Sequence, residues 1–334
     1  MKWSARLEKN ILKLWYKRNI LAYRLLPLAM VFYLLSGLRR YLYQWGILKK
    51  QSIPMPVIVV GNITVGGSGK TPLVIWLATF LQQQGYRPGI VSRGYGGKAV
   101  KRPCRVTDDS DPAAVGDEPI ILAKHTGCPV AVAAKRSAAA QLLLATTDCN
   151  ILISDDGLQH YALPRQVEIV VIDGQRGLGN GLLLPAGPLR ETAHRLKTVD
   201  FIVVNGKAEG LNHFVMQLMP QAFVNLCDTS LQHLPVEFHG RKVHAVAGIG
   251  NPSRFFDQLT RLGLDVIEHP FPDHYQFTDK DFDFAKDGLP IIMTEKDAVK
   301  CQGFAAHHCW YLPVTPLLPT EFGVALLSQL QEKV

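Results

Sequence analysis

Cysteine is scarce in this chain of 334 residues, and its spacing does not suit metal binding. The six cysteines form no Cys-x-x-Cys pair and no zinc-like pattern. We therefore expect free thiols in a cytosolic protein. His307 and His308 adjoin Cys309, but no coherent set of further ligands accompanies them. Regular internal repeats and low-complexity tracts are also missing, which argues against a repeat architecture.

Acidic residues are almost absent from the first 50 positions. This segment holds eleven lysines or arginines and one acid, Glu8, so its net charge is +10, while the remaining 284 residues carry −2. The total charge of +8 is therefore a local feature of the amino-terminal segment. We predict no nucleic-acid partner, because a basic surface spread over the whole chain is missing.

A long apolar run is missing as well. The longest uncharged run, 25–38, would rise about 21 Å as a helix, against roughly 30 Å for a hydrocarbon core, and Pro27 interrupts it. We therefore expect neither a membrane span nor, without a small-residue cleavage site, a secretory signal. Cations among nine aromatic residues instead favour helices lying on an anionic lipid surface. The alternative is a core-packed helix with a solvated basic face.

A glycine-rich loop ending in Lys-Thr follows the apolar run 57–60. Gly66, Gly67 and Gly69 lack Cβ atoms, so consecutive backbone N–H groups can point at a polyphosphate. The usual spacing places a glycine where this chain has Thr64. The predicted nucleotide-binding residues are Thr64, Val65, Gly66, Gly67, Ser68, Gly69, Lys70 and Thr71, with Lys70 on the terminal phosphates and Thr71 on Mg²⁺.

From Val57 onward, apolar runs alternate with helical patterns. The predicted strands are 57–60, 88–92, 130–133, 151–154, 167–172 and 201–204. The predicted helices are 71–84, 118–125 and 136–147. This βα alternation predicts an α/β fold with a mostly parallel sheet that binds ligands at the carboxyl ends of its strands.

Turn residues and prolines interrupt the pattern between about Asp228 and Gly240, and a second αβ set follows. It comprises predicted strands at 242–247, 264–268 and 290–293 and predicted helices at 252–262 and 321–331. We predict three regions: membrane-surface helices over 1–50, a P-loop nucleotide-binding lobe over 51–228, and a smaller α/β lobe with a linker over 229–334.

Two strand ends could supply acids for a magnesium ion. Asp155 and Asp156 follow the strand 151–154, and Asp173 ends the run 167–173. We prefer the pair, because two carboxylates can divide direct and water-mediated metal contacts. Asp156-Gly157 could also be a simple turn.

Asp117 and Glu118 lie at a predicted helix start. Asp117 could be an ordinary helix cap, or it could be the base for an attacking hydroxyl. His274 in the second lobe could orient such a base across a cleft, although a lone histidine is more often structural.

Three arginines lie near strand ends or helix starts. Arg93, Arg136 and Arg190 could each bind phosphate or stabilise charge in a transition state. The case for them rests on their neighbours, since a surface arginine needs no function.

Taken together, these motifs resemble one family, the tetraacyldisaccharide 4′-kinases of lipid A biosynthesis. The resemblance runs in order over most of the chain. The matching stretches are Gly61-Asn-Ile-Thr-Val-Gly-Gly-Ser-Gly-Lys-Thr-Pro72, Ser92-Arg-Gly-Tyr95, Gly116-Asp-Glu-Pro119, Asp155-Asp-Gly-Leu-Gln-His160, Gly187-Pro-Leu-Arg-Glu191, Ala247-Gly-Ile-Gly-Asn-Pro252, His274-Tyr275 and Thr294-Glu-Lys-Asp-Ala298.

The resemblance implies transfer of the ATP γ-phosphoryl to the 4′-hydroxyl of a lipid A disaccharide 1-phosphate, at the cytoplasmic face of the inner membrane. It implies two α/β/α sandwich lobes, the first like a P-loop NTPase, joined by a short β linker. A peripheral or monotopic protein that uses ATP and Mg²⁺ is expected. Asp117 resembles the base paired with His274, and Asp155 and Asp156 resemble acids that organise the metal. The positions linked to catalysis or charge stabilisation are Arg136, His160, Arg190 and Glu191, with Glu118 and Arg93 as further candidates.

The main alternative is a membrane-associated ATPase or GTPase switch. Partitioning ATPases carry a signature lysine where this chain has Val65, which counts against that class. Asn205-Gly-Lys207 is similar to a base-recognition loop of GTPases but lacks the following acid. A non-enzymatic membrane-binding module would leave the P-loop and the Asp155-Asp156 pair unexplained.

Overall fold

The computed structural model describes residues 5–16, 20–95, 97, 102–207, 213–301, 303 and 306–333. Residues 1–4 and 17–19 of the predicted membrane-surface segment lie outside the described residues. The helices in the described part are α1 Ala5–Tyr16, α2 Leu26–Gln44, α3 Lys70–Gln83, α4 Pro112–Val115, α5 Asp117–Thr126, α6 Arg136–Thr146, α7 Pro252–Arg261, α8 Glu295–Cys301 and α9 Thr320–Lys333.

The first sheet carries the P-loop. Its described strands are β1 Val57–Gly61, β2 Pro88–Ser92, β3 Cys104–Val106, β4 Val130–Val132, β5 Ile151–Ser154, β6 Val167–Asp173, β7 Phe201–Asn205, β8 Phe214–Pro220 and β15 Val314–Leu317. They lie in the order β15-β8-β7-β6-β1-β5-β2-β4-β3. The strands from β8 to β4 pair in parallel, and β15 and β3 pair antiparallel with their neighbours at the two edges.

Strand β1 shows why this chain forms a parallel sheet. Its residues, Val-Ile-Val-Val-Gly, are all buried, because helices cover both faces of the sheet. Leu73, Val74 and Leu77 of α3 pack into the same core cluster as Ile58 and Val60. Since β1, β2 and β5 run in parallel, the loops that follow them meet at one edge of the sheet.

The second sheet is smaller. Its described strands are β9 Phe223–Asn225, β10 Gln232–His233, β11 Lys242–Ala247, β12 Asp265–Pro270, β13 Ile291–Thr294 and β14 Cys309–Leu312, in the order β10-β9-β14-β13-β11-β12. Strands β14, β13, β11 and β12 are parallel. The predicted two-lobe α/β fold is therefore confirmed.

A two-stranded ribbon joins the sheets. Strands β8 and β15 pair antiparallel in the first sheet, and their continuations, β9 and β14, pair antiparallel in the second. This ribbon is the expected β linker. Strand β9, at Phe223–Asn225, lies before the predicted boundary at 228 and already pairs in the second sheet. After β14 the chain returns to the first sheet, where Phe322 and Leu326 of α9 join the core around α3.

The amino-terminal helix is longer and more exposed than its sequence predicts. A 3₁₀ segment at Ile20–Leu25 continues into α2, and by length and composition the stretch Ile20–Gln44 could cross a membrane. The helical stretch is therefore 25 residues long, and the 14-residue length used to predict that no span is present was wrong. Only 11% of the most apolar window is buried, which also disfavours the core-packed alternative.

Candidate active site

The glycine-rich loop joins β1 to α3. Gly66 and Gly69 have positive φ values of 108° and 94°, and α3 begins at Lys70. A Cβ on Gly69 would lie 2.3 Å from Asn205 Nδ2, which donates a hydrogen bond to the Ser68 carbonyl at 3.2 Å. Asn205, at the end of β7, is thus committed to supporting the loop. The order of strand, loop and helix agrees with a phosphate-binding loop.

Thr64 occupies the position where the usual P-loop pattern has a glycine, and the chain is extended there. Thr64 forms an isolated antiparallel bridge with Leu189, and the Val65 N–H donates to the Pro188 carbonyl at 2.9 Å. A β-branched residue suits this extended pairing. The start of the loop is thereby tied to the segment that carries Arg190.

Asp155 and Asp156 follow β5, the strand beside β1, and the two carboxylates have different surroundings. Asp155 is fully buried and accepts a hydrogen bond from Ser92 Oγ at 3.3 Å. Burial, together with Glu118 and Asp156, raises the pKa of Asp155 to about 7. Burial also acts on Asp156, but Lys70, Arg190 and Arg136 outweigh it and hold the pKa of Asp156 well below its ordinary value.

Asp156 links the P-loop lysine to one of the predicted arginines. Lys70 Nζ lies 3.5 Å from Asp156 Oδ1, and Arg190 Nη1 lies 3.4 Å from the same oxygen. Arg136 is buried and donates to the backbone carbonyls of Asp155 and Asp156. The structure therefore brings together Lys70, Asp155, Asp156, Arg136 and Arg190, as expected from the sequence.

Asp117 lies 3.2 Å from a histidine of the second lobe. This distance joins Asp117 Oδ1 to His274 Nδ1, and the two groups are not aligned as a hydrogen bond. Burial favours the neutral carboxyl, but His274 and Lys296 outweigh it and lower the pKa of Asp117 to about 2. Burial lowers the pKa of His274, whereas contact with Asp117 raises it, with a net rise. The predicted pairing across two lobes is present.

Asp117 is not the N-cap residue of α5. It is the first residue of α5, its Oδ1 accepts from the Glu118 N–H at 2.9 Å, and the cap position is occupied by Gly116. Gly116 has a φ of 88°, and a Cβ there would lie 2.6 Å from the Tyr95 carbonyl. The glycine therefore lets the loop after β2 approach Asp117.

Backbone strain also concentrates at the site. In the described part of the chain, the non-glycine residues with positive φ are Asp156, at 47°, and His274, at 58°. Such conformations persist where the surrounding structure holds them, and they cluster at functional sites.

The remaining predicted residues lie around these groups. Burial lowers the pKa of His160 to about 4, assisted by Arg136 and Arg165, so His160 is neutral at pH 7. Glu191 accepts hydrogen bonds from Gln159 at 2.9 Å and Tyr161 at 2.8 Å. Arg93 is exposed at the end of β2, and its side chain contacts none of the described residues through a hydrogen bond or ion pair.

The fold brings three further residues here for which no role was expected from the sequence. Lys296 and Lys300, both on α8, lie within 4 Å of the acids at the start of α5: Lys296 Nζ is 3.0 Å from Glu118, and Lys300 Nζ is 3.9 Å from Asp117. Gly250, interpreted as part of a strand-to-helix turn, does precede α7 but also packs on the P-loop. A Cβ on Gly250 would lie 2.2 Å from the Gly67 nitrogen. Lys296 and Gly250 lie in motifs that match the family, but those motifs indicate no contact partner, and Lys300 lies in none of them.

The side chains suit a magnesium ion. Oδ1 of Asp155 is a buried acceptor without a hydrogen-bond partner among the described residues, and Thr71 adds a hydroxyl at the start of α3. The described residues contain no group of three or more His, Cys, Asp or Glu that could hold a metal. Magnesium fits this arrangement, since it is commonly held by one or two carboxylates together with substrate phosphates.

A phosphate-binding loop after a buried parallel strand, with acids and arginines at the same sheet edge, defines a P-loop nucleotide-binding protein. The Asp117–His274 pair adds an acid–base group, which is typical of a phosphotransferase. The profile of a family described as tetraacyldisaccharide-1-P 4′-kinase, LpxK, matches residues 21–331. The chain therefore belongs to the tetraacyldisaccharide 4′-kinase family.

Similar proteins agree over nearly the full length. The chain is 52% identical over 322 residues to the tetraacyldisaccharide 4′-kinase of Nitrosococcus oceani, covering 96% of this chain and 94% of that protein. It is 55% identical over 294 residues to that of Alkalilimnicola ehrlichii, covering 88% of each. The crystal structure of LpxK from Aquifex aeolicus in complex with ATP superposes with a TM-score of 0.77 at 29% identity, covering 93% of this chain and 100% of that one.

Proposed function

We propose that this chain transfers the γ-phosphoryl of ATP to the 4′-hydroxyl of tetraacyldisaccharide 1-phosphate, a lipid A precursor. The observation that carries the proposal is the meeting of the P-loop and the Asp117–His274 pair at one sheet edge. Tyr95, which follows β2 at this edge, contacts the His274 ring with 4.9 Å between ring centroids. Membership of the family supplies the identity of the acceptor.

The donor side consists of residues from the first lobe. The backbone of the glycine-rich loop would hold the phosphates, and Lys70 and Arg190 would neutralise charge that builds up on the moving phosphoryl group. Thr71, Asp155 and Asp156 would hold Mg²⁺, which supplies further charge neutralisation on the phosphates when bound. In the structure Asp156 keeps both Lys70 and Arg190 at this edge of the sheet.

The acceptor side removes a proton. The hydroxyl oxygen bonds to the γ-phosphorus while the bond from that phosphorus to the bridging oxygen breaks, and ADP leaves with that electron pair. The hydroxyl proton passes to the Asp117–His274 pair, which shares it as a unit. A loose transition state does not require a strong base. The lowered pKa of Asp117 therefore suits a role in orienting the hydroxyl and accepting its proton late in the reaction.

The lipid acceptor requires a surface that docks on a membrane. Many apolar side chains of the segment 20–47 are exposed, including Leu35 at 63% and Trp45 at 72%. The helix is attached to the first lobe where Arg40 lies 4.0 Å from Glu191 and where the rings of Tyr43 and Tyr161 are 6.1 Å apart. This arrangement supports peripheral or monotopic binding at the cytoplasmic face of the inner membrane, where ATP is present.

A direct assay tests the activity. Purified protein is incubated with γ-labelled ATP, Mg²⁺ and tetraacyldisaccharide 1-phosphate in detergent, with Lys70→Ala as the control. We expect label on the lipid only with the unmutated protein. Brisk ATP hydrolysis that leaves the lipid unlabelled would instead support the alternative, a membrane-associated ATPase switch, which the family membership does not favour. Exchange of ATP for GTP tests the related GTPase alternative.

Membrane docking is tested separately by sedimentation with vesicles that contain anionic lipid. A Leu34→Asp/Leu35→Asp double variant should lose most of its vesicle binding, because two charges are placed on the exposed face of α2. Val324→Asp, at an equally exposed position on α9, is the matched control and should bind normally. Equal binding by all three proteins would reject the docking role of α2.

A further inference from the structure

Lys296 is a buried cation at the junction of the two lobes. It lies on α8 of the second lobe, and Val299 of the same helix packs in the first-lobe core with Ile121 and Leu122 of α5. Burial favours its neutral form, but Glu118, Asp273 and Asp117 outweigh this and raise its pKa well above the ordinary value. Lys296 is therefore a permanent ammonium group beside the acid–base pair.

All three N–H donors of this ammonium have acceptors. Nζ lies 3.0 Å from Glu118 Oε1, 3.2 Å from Asp273 Oδ1 and 3.3 Å from His274 Nε2. An ammonium group can donate hydrogen bonds and cannot accept them. Nε2 of His274 must consequently be the acceptor, and the ring proton of the neutral imidazole must lie on Nδ1. That nitrogen is the one that faces Asp117.

We propose that Lys296 is a positioning residue for the reaction: its hydrogen bond to Nε2 fixes His274 in the Nδ1–H tautomer, so that the imidazole presents a proton to Asp117. The inference rests on the proposed function for its catalytic meaning, although the tautomer itself is a property of the free protein. Lys296 acts through His274 and Glu118, and it contacts neither P-loop nor nucleotide-binding residues in the structure.

The surroundings of His274 set the expected pH dependence. The charged and titratable groups near it are Asp117 and Glu118 of α5, Asp273 beside it, Lys296 and Lys300 of α8, and Tyr95 after β2. The positive charge of Lys296 lowers the pKa of both His274 and Asp117. Loss of this charge should therefore raise both values and move the acid limb of the rate profile to higher pH.

The first test needs no variant. Nitrogen-15 spectra of histidine-labelled wild-type protein, recorded above the pKa of His274, report which ring nitrogen carries the proton. His274 is identified by comparison with His274→Gln. The Nδ1–H tautomer is expected, and the Nε2–H tautomer would overturn the proposal whether or not the protein is active. This readout separates the inference from the proposed kinase activity.

The second test uses two substitutions of Lys296. Lys296→Met removes charge and donors, so we expect kcat at pH 7 to fall about 10–100-fold, the KM for ATP to stay constant, and the acid limb to move up by roughly one pH unit. Lys296→Gln retains an N–H donor for Nε2 and should recover the tautomer and part of kcat. If Lys296→Met folds and keeps both the wild-type profile and the wild-type spectrum, the proposal is rejected.

Glu295→Gln is the matched control. Glu295 precedes Lys296 on α8 and also bridges to α5, where its Oε1 lies 2.7 Å from His125 Nε2. If Lys296 merely held the lobes together, Glu295→Gln would reproduce the kinetic loss. We expect this variant to keep the wild-type kcat, acid limb and His274 spectrum, and a loss of kcat equal to that of Lys296→Met would contradict the positioning role.

Discussion

The site contains two pairs of consecutive acids, and they are stabilised in different ways. Asp155 and Asp156 receive their cations from the first lobe, from Lys70, Arg136 and Arg190. Asp117 and Glu118 also lie in the first lobe, but the basic side chains that contact them, His274, Lys296 and Lys300, come from the second. The charged groups of the donor half thus all come from one lobe, whereas those of the acceptor half come from both.

The two pairs of acids correspond to two requirements of a lipid kinase, nucleotide binding and proton removal. Nucleotide binding can proceed on a rigid strand edge whose groups are already paired. In the proposed mechanism, proton removal depends on lobe contact, because Asp117 on α5 pairs with His274 from the loop after β12. Coupling the base to lobe contact would limit wasteful transfer to water when the acceptor is absent. Substitutions in the two halves should therefore fail in different ways.

The largest effect is expected at the acceptor half. Asp117→Asn removes the proton acceptor, so kcat for lipid phosphorylation should fall by about 10²–10⁴-fold, while ATP binding is retained because the P-loop does not contact this side chain. The measurement combines the labelled-lipid assay with titration of a fluorescent ATP analogue. Weakened nucleotide binding with kcat unchanged would place Asp117 in the donor half.

A double-variant cycle sharpens this result. His274→Gln alone should also lower kcat, but the Asp117→Asn/His274→Gln variant should be little worse than Asp117→Asn. Residues that act as a unit are strongly non-additive. Fully additive losses would mean that the two side chains act independently, which their 3.2 Å separation argues against.

An intermediate effect is expected where the second lobe touches the donor half. Gly250→Ala places a methyl group 2.2 Å from the Gly67 nitrogen, so either the loop or the lobe must shift. We expect the KM for ATP to rise about tenfold, with a smaller change in kcat. Gly303→Ala is the control: this glycine also lies in the second lobe, its φ is outside the left-handed region, and a Cβ there meets nothing within 4 Å. Equal KM values for Gly250→Ala and wild type would show that the contact between Gly250 and Gly67 does not influence ATP binding.

Local patterns in the sequence predicted the elements that carry the donor half. The predicted strand at 151–154 and helix at 71–84 agree closely with β5 and α3, because burial period and turn residues are local signals. Strands β8 and β15 were missed, since their pairing joins segments almost a hundred residues apart. Lys296 was missed for the same reason. Its neighbours in the sequence say nothing of Glu118, which only tertiary packing brings within 3.0 Å.

The smallest effect distinguishes Asp155 from Asp156, and it is a change in thermal stability. The pKa of Asp155 is raised to about 7, so the folded protein binds an extra proton and loses stability as pH rises from about 4 to 7. Asn cannot ionise, so Asp155→Asn should raise the melting temperature at pH 8 by roughly 2–4 °C without nucleotide or Mg²⁺. Asp156→Asn should do the opposite, because the pKa of Asp156 is lowered and its ionised form is held by Lys70, Arg190 and Arg136. Thermal melts at pH 5 and pH 8 test this difference. If the melting temperatures of both variants shift in the same direction at pH 8, the two carboxylates do not have distinct environments.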